Sequence, residues 1–317
     1  MRRLLRPIKP FARSIKWGHL LRRAQKDAGG RDDSNLPNTC FILGCGRSGT
    51  TVLGRLIATH PEVYYLREPY YLWRAVDPQT DMIGFYGDAG GPPRCTFFVA
   101  DATNEKTSRF RRCMAAEFRR GHQPEVLVEK TPINSWRIEY LNALAPDAKF
   151  VHIVRNGINV VRSISRLAVN NDYKIAWKGQ WNQWWGRDNC KWQAMVRDAR
   201  AQGWFESSLN DIQNDIERGA LEWIVSLQEA NRMRTALGDR MLEFRYEDFA
   251  TSPKETLTKI AQHLGIQAPE NWLDAAACEV SAPRTNSGTP MTLPTELGNA
   301  FNELQKQYGY EDRCLTR

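Results

Sequence analysis

The sequence has no stretch approaching the roughly 20 consecutive apolar residues that a membrane-spanning helix needs, so no such helix is expected. Its seven cysteines (Cys40, Cys45, Cys95, Cys113, Cys190, Cys278 and Cys314) are scattered, odd in number and without a C-x-x-C pair. They offer neither a disulfide framework nor a zinc site, and they point to a reducing, cytoplasmic setting. Acidic residues are missing altogether from residues 1–26, which carry nine basic ones: Arg2, Arg3, Arg6, Lys9, Arg13, Lys16, Arg22, Arg23 and Lys26. The net charge of +8 therefore belongs to this arm, because the rest of the chain has 35 basic against 36 acidic residues. A nucleic-acid partner is not expected of a near-neutral body. Internal repeats and low-complexity segments are lacking too, and 317 residues suffice for one large α/β domain with its own core.

Within the basic arm, Trp17, Leu20, Leu21 and Ala24 recur at i, i+3, i+4 and i+7, one face of a helix, with Lys16, Arg22, Arg23 and Lys26 on the other side. Pro7 and Pro10 keep the helix from starting much earlier. Residues 1–37 thus read as a basic amphipathic arm before a domain at 38–317. Two roles stay open for the arm. One is an interfacial helix through residues 1–26 on an anionic inner membrane surface. The other is a segment packed on the body or on a partner, or a disordered arm. A cleaved signal peptide is not expected, since no unbroken apolar segment follows the charges.

The domain alternates strands with helices. Residues 40–43, 125–128, 149–154 and 241–244 read as strands. Helices are expected over 49–59, through Trp136 and Leu144, over 159–167 and over 253–264. This rhythm predicts a central parallel sheet flanked by helices. Residues 170–225 interrupt it as a Trp-rich helical insertion. Trp177, Trp181, Trp184 and Trp185 there follow i, i+4, i+7 and i+8, one helix face that either packs inward or stacks against an acceptor.

The strongest local signal is Gly44-Cys45-Gly46-Arg47-Ser48-Gly49-Thr50-Thr51, placed between a strand and a helix. Backbone N–H groups of such a loop, and the helix N-terminus behind it, attract phosphate. Thr50-Thr51 stands where a nucleotide hydrolase carries Lys-Ser or Lys-Thr, so Arg47 is left to supply the charge, and Mg²⁺ is not required by the pattern. A second basic residue, Arg155, ends the strand at 149–154 where a hydrolase is expected to place an Asp for Mg²⁺. An arginine there can fork onto a phosphate. A P-loop kinase or nucleotide hydrolase remains the alternative that these two departures weaken.

The loop resembles the 5′-phosphosulfate loop of sulfotransferases that use 3′-phosphoadenosine-5′-phosphosulfate (PAPS), in the branch of tyrosylprotein and bacterial carbohydrate-type enzymes. Arg155-Asn156-Gly157 with Ser163 is similar to that family's 3′-phosphate signature, with Asn156 where Asp is usual. The resemblance runs from about Cys40 to Tyr310 and implies a P-loop-like nucleotide-binding fold, PAPS as donor, PAP as product and no metal. It implies that Gly46, Arg47, Ser48, Gly49, Thr50, Thr51, Arg155 and Ser163 hold the donor, and that Tyr246, in an Arg-Tyr-Glu-Asp element, borders the adenine. Residues 284–288 are similarly placed to fold over the donor, and Tyr308-Gly309-Tyr310 resembles the family's closing helix.

For catalysis, Glu68 lies just beyond the first helix and is the expected general base, as in the tyrosylprotein branch. Lys130, in Lys130-Thr131-Pro132, is expected with Arg47 at the leaving phosphate, where charge builds during in-line transfer. His60 and His152 are weaker candidates for the base. The expected acceptor is a hydroxyl on a glycan or lipid-linked glycan, with a peptide tyrosine or a small alcohol left open.

Overall fold

The computed structural model describes residues 8–31, 35–86, 90–121, 124–170, 181–281 and 290–317. In chain order, strands β1 (Thr39–Leu43), β2 (Val63–Arg67), β3 (Val126–Lys130) and β4 (Lys149–Val154) are followed by a small antiparallel hairpin, β5 (Trp181–Asn182) against β6 (Gly186–Arg187), and by β7 (Met241–Arg245). Strands β1 to β4 and β7 form one sheet of order β2-β3-β1-β4-β7, with every pairing parallel. The helices are α1 (Ile8–Ala28), α2 (Thr50–Ile57), α3 (Tyr70–Val76), α4 (Asn104–Phe118), α5 (Ile138–Leu144), α6 (Gly157–Asn170), α7 (Cys190–Ala201), α8 (Glu206–Leu209), α9 (Asp215–Leu237), α10 (Tyr246–Thr251), α11 (Pro253–Leu264), α12 (Glu270–Cys278) and α13 (Thr295–Gln307).

Both faces of the sheet are covered, which is why its central strands read as continuous apolar runs. Successive side chains alternate between the faces. Phe41, Leu43, Leu127 and Phe150 meet Leu72, Trp73, Phe110 and Leu141 of α3, α4 and α5. Cys40, Ile42, Val128, Val151 and Ile153 meet Leu53, Leu56, Leu257 and Ile260 of α2 and α11. A third cluster joins α6, α9 and α13 through Val160, Ile164, Trp223, Ile224 and Phe301. The chain moves from β1 to β2 and β3 on one side, then crosses to β4 and β7 on the other. That reversal opens a crevice at the carboxyl ends of the strands, the usual ligand position of open parallel sheets.

The expected central sheet is present, with one strand more than the four read from the sequence. The added strand is the edge strand β2, Val63–Arg67. The Trp face of the insertion is a correction. Trp181, Trp184 and Trp185 lie on the β5–β6 hairpin rather than on a helix, and Trp177 lies outside the described residues. The Asn182 side chain accepts from the backbone N–H of Trp184 (2.8 Å) and of Trp185 (3.0 Å), and Gly186 takes a positive φ of 77°. This turn chemistry ends any helical course that the spacing alone suggests. Among the described residues, the insertion beyond the hairpin is mainly helical, as α7, α8 and the start of α9.

Helix α1 packs on the body. Ala24 and Ala28 are buried against α3 and α4. Arg120 grips Asp27 at 2.8 Å and Arg112 donates to the Ala28 carbonyl at 2.9 Å. The apolar stripe of the arm is therefore turned toward the domain. Among the described residues no helix is long and apolar enough to cross a membrane.

Candidate functional site

The loop after β1 turns into α2 through a narrow passage. Gly44 N–H donates to Ser135 Oγ at 2.7 Å, and Ser48 N–H to the Cys45 carbonyl at 3.0 Å. Gly49 sits at φ 102°, and a Cβ there would lie 2.4 Å from the Tyr246 ring. A Cβ on Gly46 would lie 2.3 Å from Trp184. Both glycines thus let large rings close on the loop. Arg47 takes a positive φ of 76°, a strained conformation of the kind concentrated at ligand-binding positions. The Ser48 hydroxyl is fully buried and makes no hydrogen bond to any of the described residues. A buried, unsatisfied hydroxyl inside a loop of inward-facing amides fits an anionic oxygen.

Arg155 leaves the end of β4 and meets the same loop. Its Nη1 donates to the Arg47 carbonyl at 3.3 Å, and its guanidinium lies 4.4 Å from the Tyr246 ring centre. Arg47 Nε in turn donates to Ser163 Oγ on α6 at 3.1 Å. The structure therefore brings together Arg47, Arg155, Ser163 and Tyr246, from four separate stretches of sequence. Packing of the surrounding protein, then the charges of Arg155 and Arg166, hold Arg47 below the usual arginine range, with Glu68 opposing them. Crowded cations of this kind are relieved by an anion. Arg166 was not singled out in the sequence, although it lies one helical turn beyond Ser163 on α6.

The acid and base candidates meet at the ends of β2 and β3. These strands pair with Arg67 opposite Lys130, and the Glu68 N–H donates to the Lys130 carbonyl at 2.8 Å. Glu68 also holds a positive φ, 49°. The Lys130 side chain is fully buried, and its ammonium donates to the Glu68 carboxylate and, at 3.0 Å, to Thr51 Oγ1. Burial pushes Lys130 below the ordinary lysine range, and Glu68 pulls the other way. Glu129, one residue earlier and so on the opposite face, is locked by Trp73 Nε1 (2.9 Å), Thr131 Oγ1 (2.5 Å) and Asn134 Nδ2 (2.8 Å), and burial pushes it up to about 6. That network supports the strand end and faces away from the crevice.

Two cavities flank Glu68. One, of about 320 Å³, is bordered by Arg47, Thr51, Glu68, Gln183, Trp184 and Lys191. The other, of about 400 Å³, is bordered by Trp17, Arg67, Glu68, Tyr71, Phe85 and Tyr86. Tyr70 lines both. Trp184 is held over the loop by its indole N–H, which donates to Glu222 at 2.8 Å. Lys191 pairs with the same carboxylate at 2.7 Å and lies 4.3 Å from the Trp184 ring centre. Lys191 and Glu222 carried no signal in the sequence, because their pairing joins α7 to α9 across the insertion.

Some sequence expectations fall elsewhere. His60 contacts the Gln267 carbonyl at 3.0 Å and His152 contacts Glu243 at 2.8 Å, so both serve the scaffold. Tyr308 follows α13, and the Tyr310 hydroxyl donates to Glu247 at 2.8 Å. Residues 284–288 lie outside the described residues. The seven cysteines are free thiols, and no cluster of three metal-ligating side chains occurs among the described residues.

Comparison with known proteins matches residues 39–204, more than half of the chain, to the sulfotransferase family. In sequence, 138 residues are 28% identical to nodulation protein NoeE of Sinorhizobium fredii strain NBRC 101917 / NGR234, covering 42% of this chain and 32% of that protein. The match thus spans under a third of that relative's length. In structure, the chain is similar to the sulfotransferase domain from the curacin biosynthetic pathway (TM-score 0.51, 16% identical, 88% of this chain and 100% of that one). It is equally similar to the sulfotransferase domain from the Synechococcus PCC 7002 olefin synthase (TM-score 0.51, 19% identical, 89% of this chain and 98% of that one). These two similarities bear on the fold.

Proposed function

Because the chain belongs to the sulfotransferase family, we propose that it transfers a sulfuryl group from PAPS to a hydroxyl of a saccharide, free or lipid-linked, with Glu68 as general base. One observation carries the reading. Arg47, Glu68, Lys130, Arg155 and Tyr246 each stand at or just beyond the carboxyl end of a different strand of the sheet, and they converge on one crevice. When bound there, PAPS supplies an activated sulfuryl group whose leaving group is a 5′-phosphate.

The chain's own groups have separable tasks. The loop amides of residues 46, 47 and 49–51 and the Ser48 hydroxyl hold the 5′-phosphate at the α2 N-terminus. Arg155 and Ser163 hold the 3′-phosphate, and Tyr246 borders the adenine between Arg155 and Gly49. Glu68 takes the proton of the acceptor hydroxyl as its oxygen bonds to sulfur. The Lys130 ammonium and Arg47 stabilise the negative charge that develops on the departing phosphate oxygen. These positive groups occupy the place that a divalent cation holds in a nucleotide hydrolase. A saccharide suits the acceptor side because the cavity beyond Glu68 combines aromatic faces with tyrosine hydroxyls and Arg67.

The test is transfer of ³⁵S from labelled PAPS to neutral oligosaccharides, with thermal shift by PAP measured beside it. Turnover, with stabilisation by PAP in the presence of EDTA, is expected. Stabilisation by ATP–Mg²⁺ alone, with none by PAP, overturns the donor assignment.

A further inference from the structure

The basic N-terminal arm docks on the domain as helix α1. Its docking stripe runs Trp17, Leu21, Ala24, Ala28, at spacings of four, three and four residues. The last two are buried against α3 and α4, and Arg23 reinforces the contact through Glu117 at 2.6 Å. The same stripe, continued one and two turns toward the N-terminus, runs past α3 and places Trp17 at the mouth of the cavity beside Glu68. There the Trp17 ring centre lies 4.0 Å from that of Phe85. Phe85 is the hub of an aromatic cluster. It also meets Tyr70 edge-on at 6.1 Å, Tyr86 at 6.3 Å and, stacked, Trp181 of the β5–β6 hairpin at 5.7 Å.

We propose that helix α1 is a wall of the acceptor site and that Trp17 is a specificity residue whose ring stacks on a pyranose of a saccharide acceptor. The inference rests on the saccharide reading of the cavity and goes beyond it by giving the arm a place in substrate recognition. Rings converge here from the arm, from α3, from the segment after it and from the insertion. They offer broad π-faces, onto which the C–H face of a sugar packs. Arg67, Tyr71 and Tyr86 border the same space, and the Arg67 guanidinium can meet sugar hydroxyls. A cavity of about 400 Å³ falls within the range of small-ligand sites. Phe85 and Tyr70 border both cavities, but Trp17 borders only the one of about 400 Å³, which Arg47 and Thr51 do not line, so loss of Trp17 is expected in acceptor binding and not in donor binding.

The experiment compares wild type, Trp17→Met and Trp17→Phe in the full-length enzyme. Methionine keeps an apolar contact with Phe85 but has no ring face, whereas phenylalanine keeps the face. The probes are cellotetraose, maltotetraose and chitotetraose, with a tyrosyl peptide and 1-octanol alongside. For a saccharide that the wild type turns over, Trp17→Met is expected to raise its KM about tenfold, the scale of one lost stacking contact. KM for PAPS and the thermal shift by PAP should stay within about twofold, and Trp17→Phe should keep the acceptor KM within about threefold. An unchanged saccharide KM in Trp17→Met, or a parallel loss of PAP stabilisation in both variants, overturns the role of Trp17. Preferred sulfation of the peptide or of octanol by the wild type overturns the saccharide reading itself.

Discussion

Lys130 and Glu68 are joined twice, once through the main chain and once through their side chains. The Glu68 N–H donates to the Lys130 carbonyl at 2.8 Å, and the Lys130 ammonium donates to the Glu68 carboxylate. The first bond extends the β2–β3 ladder by one residue, so the sheet itself sets the position of the base candidate. The second holds the carboxylate beside Thr51 of the phosphate loop, to which Lys130 also donates at 3.0 Å. The proposed base, the cation beside it and the glycine-rich loop are thus held together by bonds within the chain, an arrangement that would lower the reorganisation transfer requires.

Glu68→Gln keeps the size and the hydrogen-bonding capacity of the side chain and removes the proton acceptor. PAP should still stabilise this variant, while kcat should fall by a factor on the order of 10² to 10⁴. Lys130→Met should lose about 10² or more in kcat, with little change in acceptor KM. Stopped assays with ³⁵S-labelled PAPS measure both. Wild-type turnover in Glu68→Gln removes Glu68 from the role of base.

Burial lowers Lys130, and Glu68 opposes the shift. For a lysine, a lowered value means that the charged form is lost earlier as pH rises. The alkaline fall of kcat/KM for PAPS should therefore begin below the ordinary lysine range of about 10.4. In Glu68→Gln the opposing carboxylate is gone, so the fall should move to still lower pH in whatever activity remains. A pH profile of single-turnover transfer tests this. An alkaline limb at the same pH in wild type and Glu68→Gln separates the limb from the Lys130–Glu68 pair.

The sheet and the phosphate loop were legible in the sequence because each is a local signal. An apolar run such as residues 149–154, or glycines at fixed spacing before a helix, needs no distant partner to be recognised. The order of events around Glu68 was legible too, since a residue just past the first helix returns to the mouth of the crevice. The β5–β6 hairpin was not, because four tryptophans at helical spacing are equally compatible with a turn set by Asn182 and Gly186. Lys191 and Glu222 were silent for a different reason. They are 31 residues apart, and only the packing of α7 on α9 turns two ordinary charged residues into the support for Trp184. Trp17 read as part of an amphipathic stripe, and the sequence held no sign that the stripe outruns its docking surface.

In the proposed donor site, Arg155 is the outer arm of the grip. Its guanidinium lies over Tyr246 and donates to the Arg47 carbonyl, so removing it would take away the proposed phosphate contact and loosen the loop. Arg155→Ala should weaken PAP binding by about 1.5–3 kcal/mol, roughly tenfold to a hundredfold, the scale of a charged hydrogen bond. Arg155→Lys should recover only part of the loss, because a lysine cannot fork onto phosphate. Calorimetric titration with PAP and with adenosine 5′-phosphate separates the causes. The difference between variant and wild type should shrink for the ligand lacking the 3′-phosphate, and an equal loss for both would assign Arg155 to loop support alone.

Glu243 links the last strand of the sheet to its neighbours and should govern acid stability. Its carboxylate lies 2.8 Å from His152 Nδ1 on β4 and 2.7 Å from Arg234 on α9. Burial alone would push this carboxyl up, but the hydrogen bonds and charges of His152 and Arg234 outweigh it and hold the group at about 2. The folded value is thus depressed relative to the unfolded chain, where a glutamate titrates near 4.3. The stabilisation is present above that unfolded value and is lost as pH falls toward about 2. Two units correspond to at most about 3 kcal/mol, and partial exposure of the group makes about 1–2 kcal/mol the better expectation. Glu243→Gln keeps an acceptor for His152 but carries no charge to lose. Urea unfolding between pH 5 and 3 should therefore show wild-type stability falling more steeply than that of the variant. Parallel curves would place the acid sensitivity of the fold outside the β4–β7 pair.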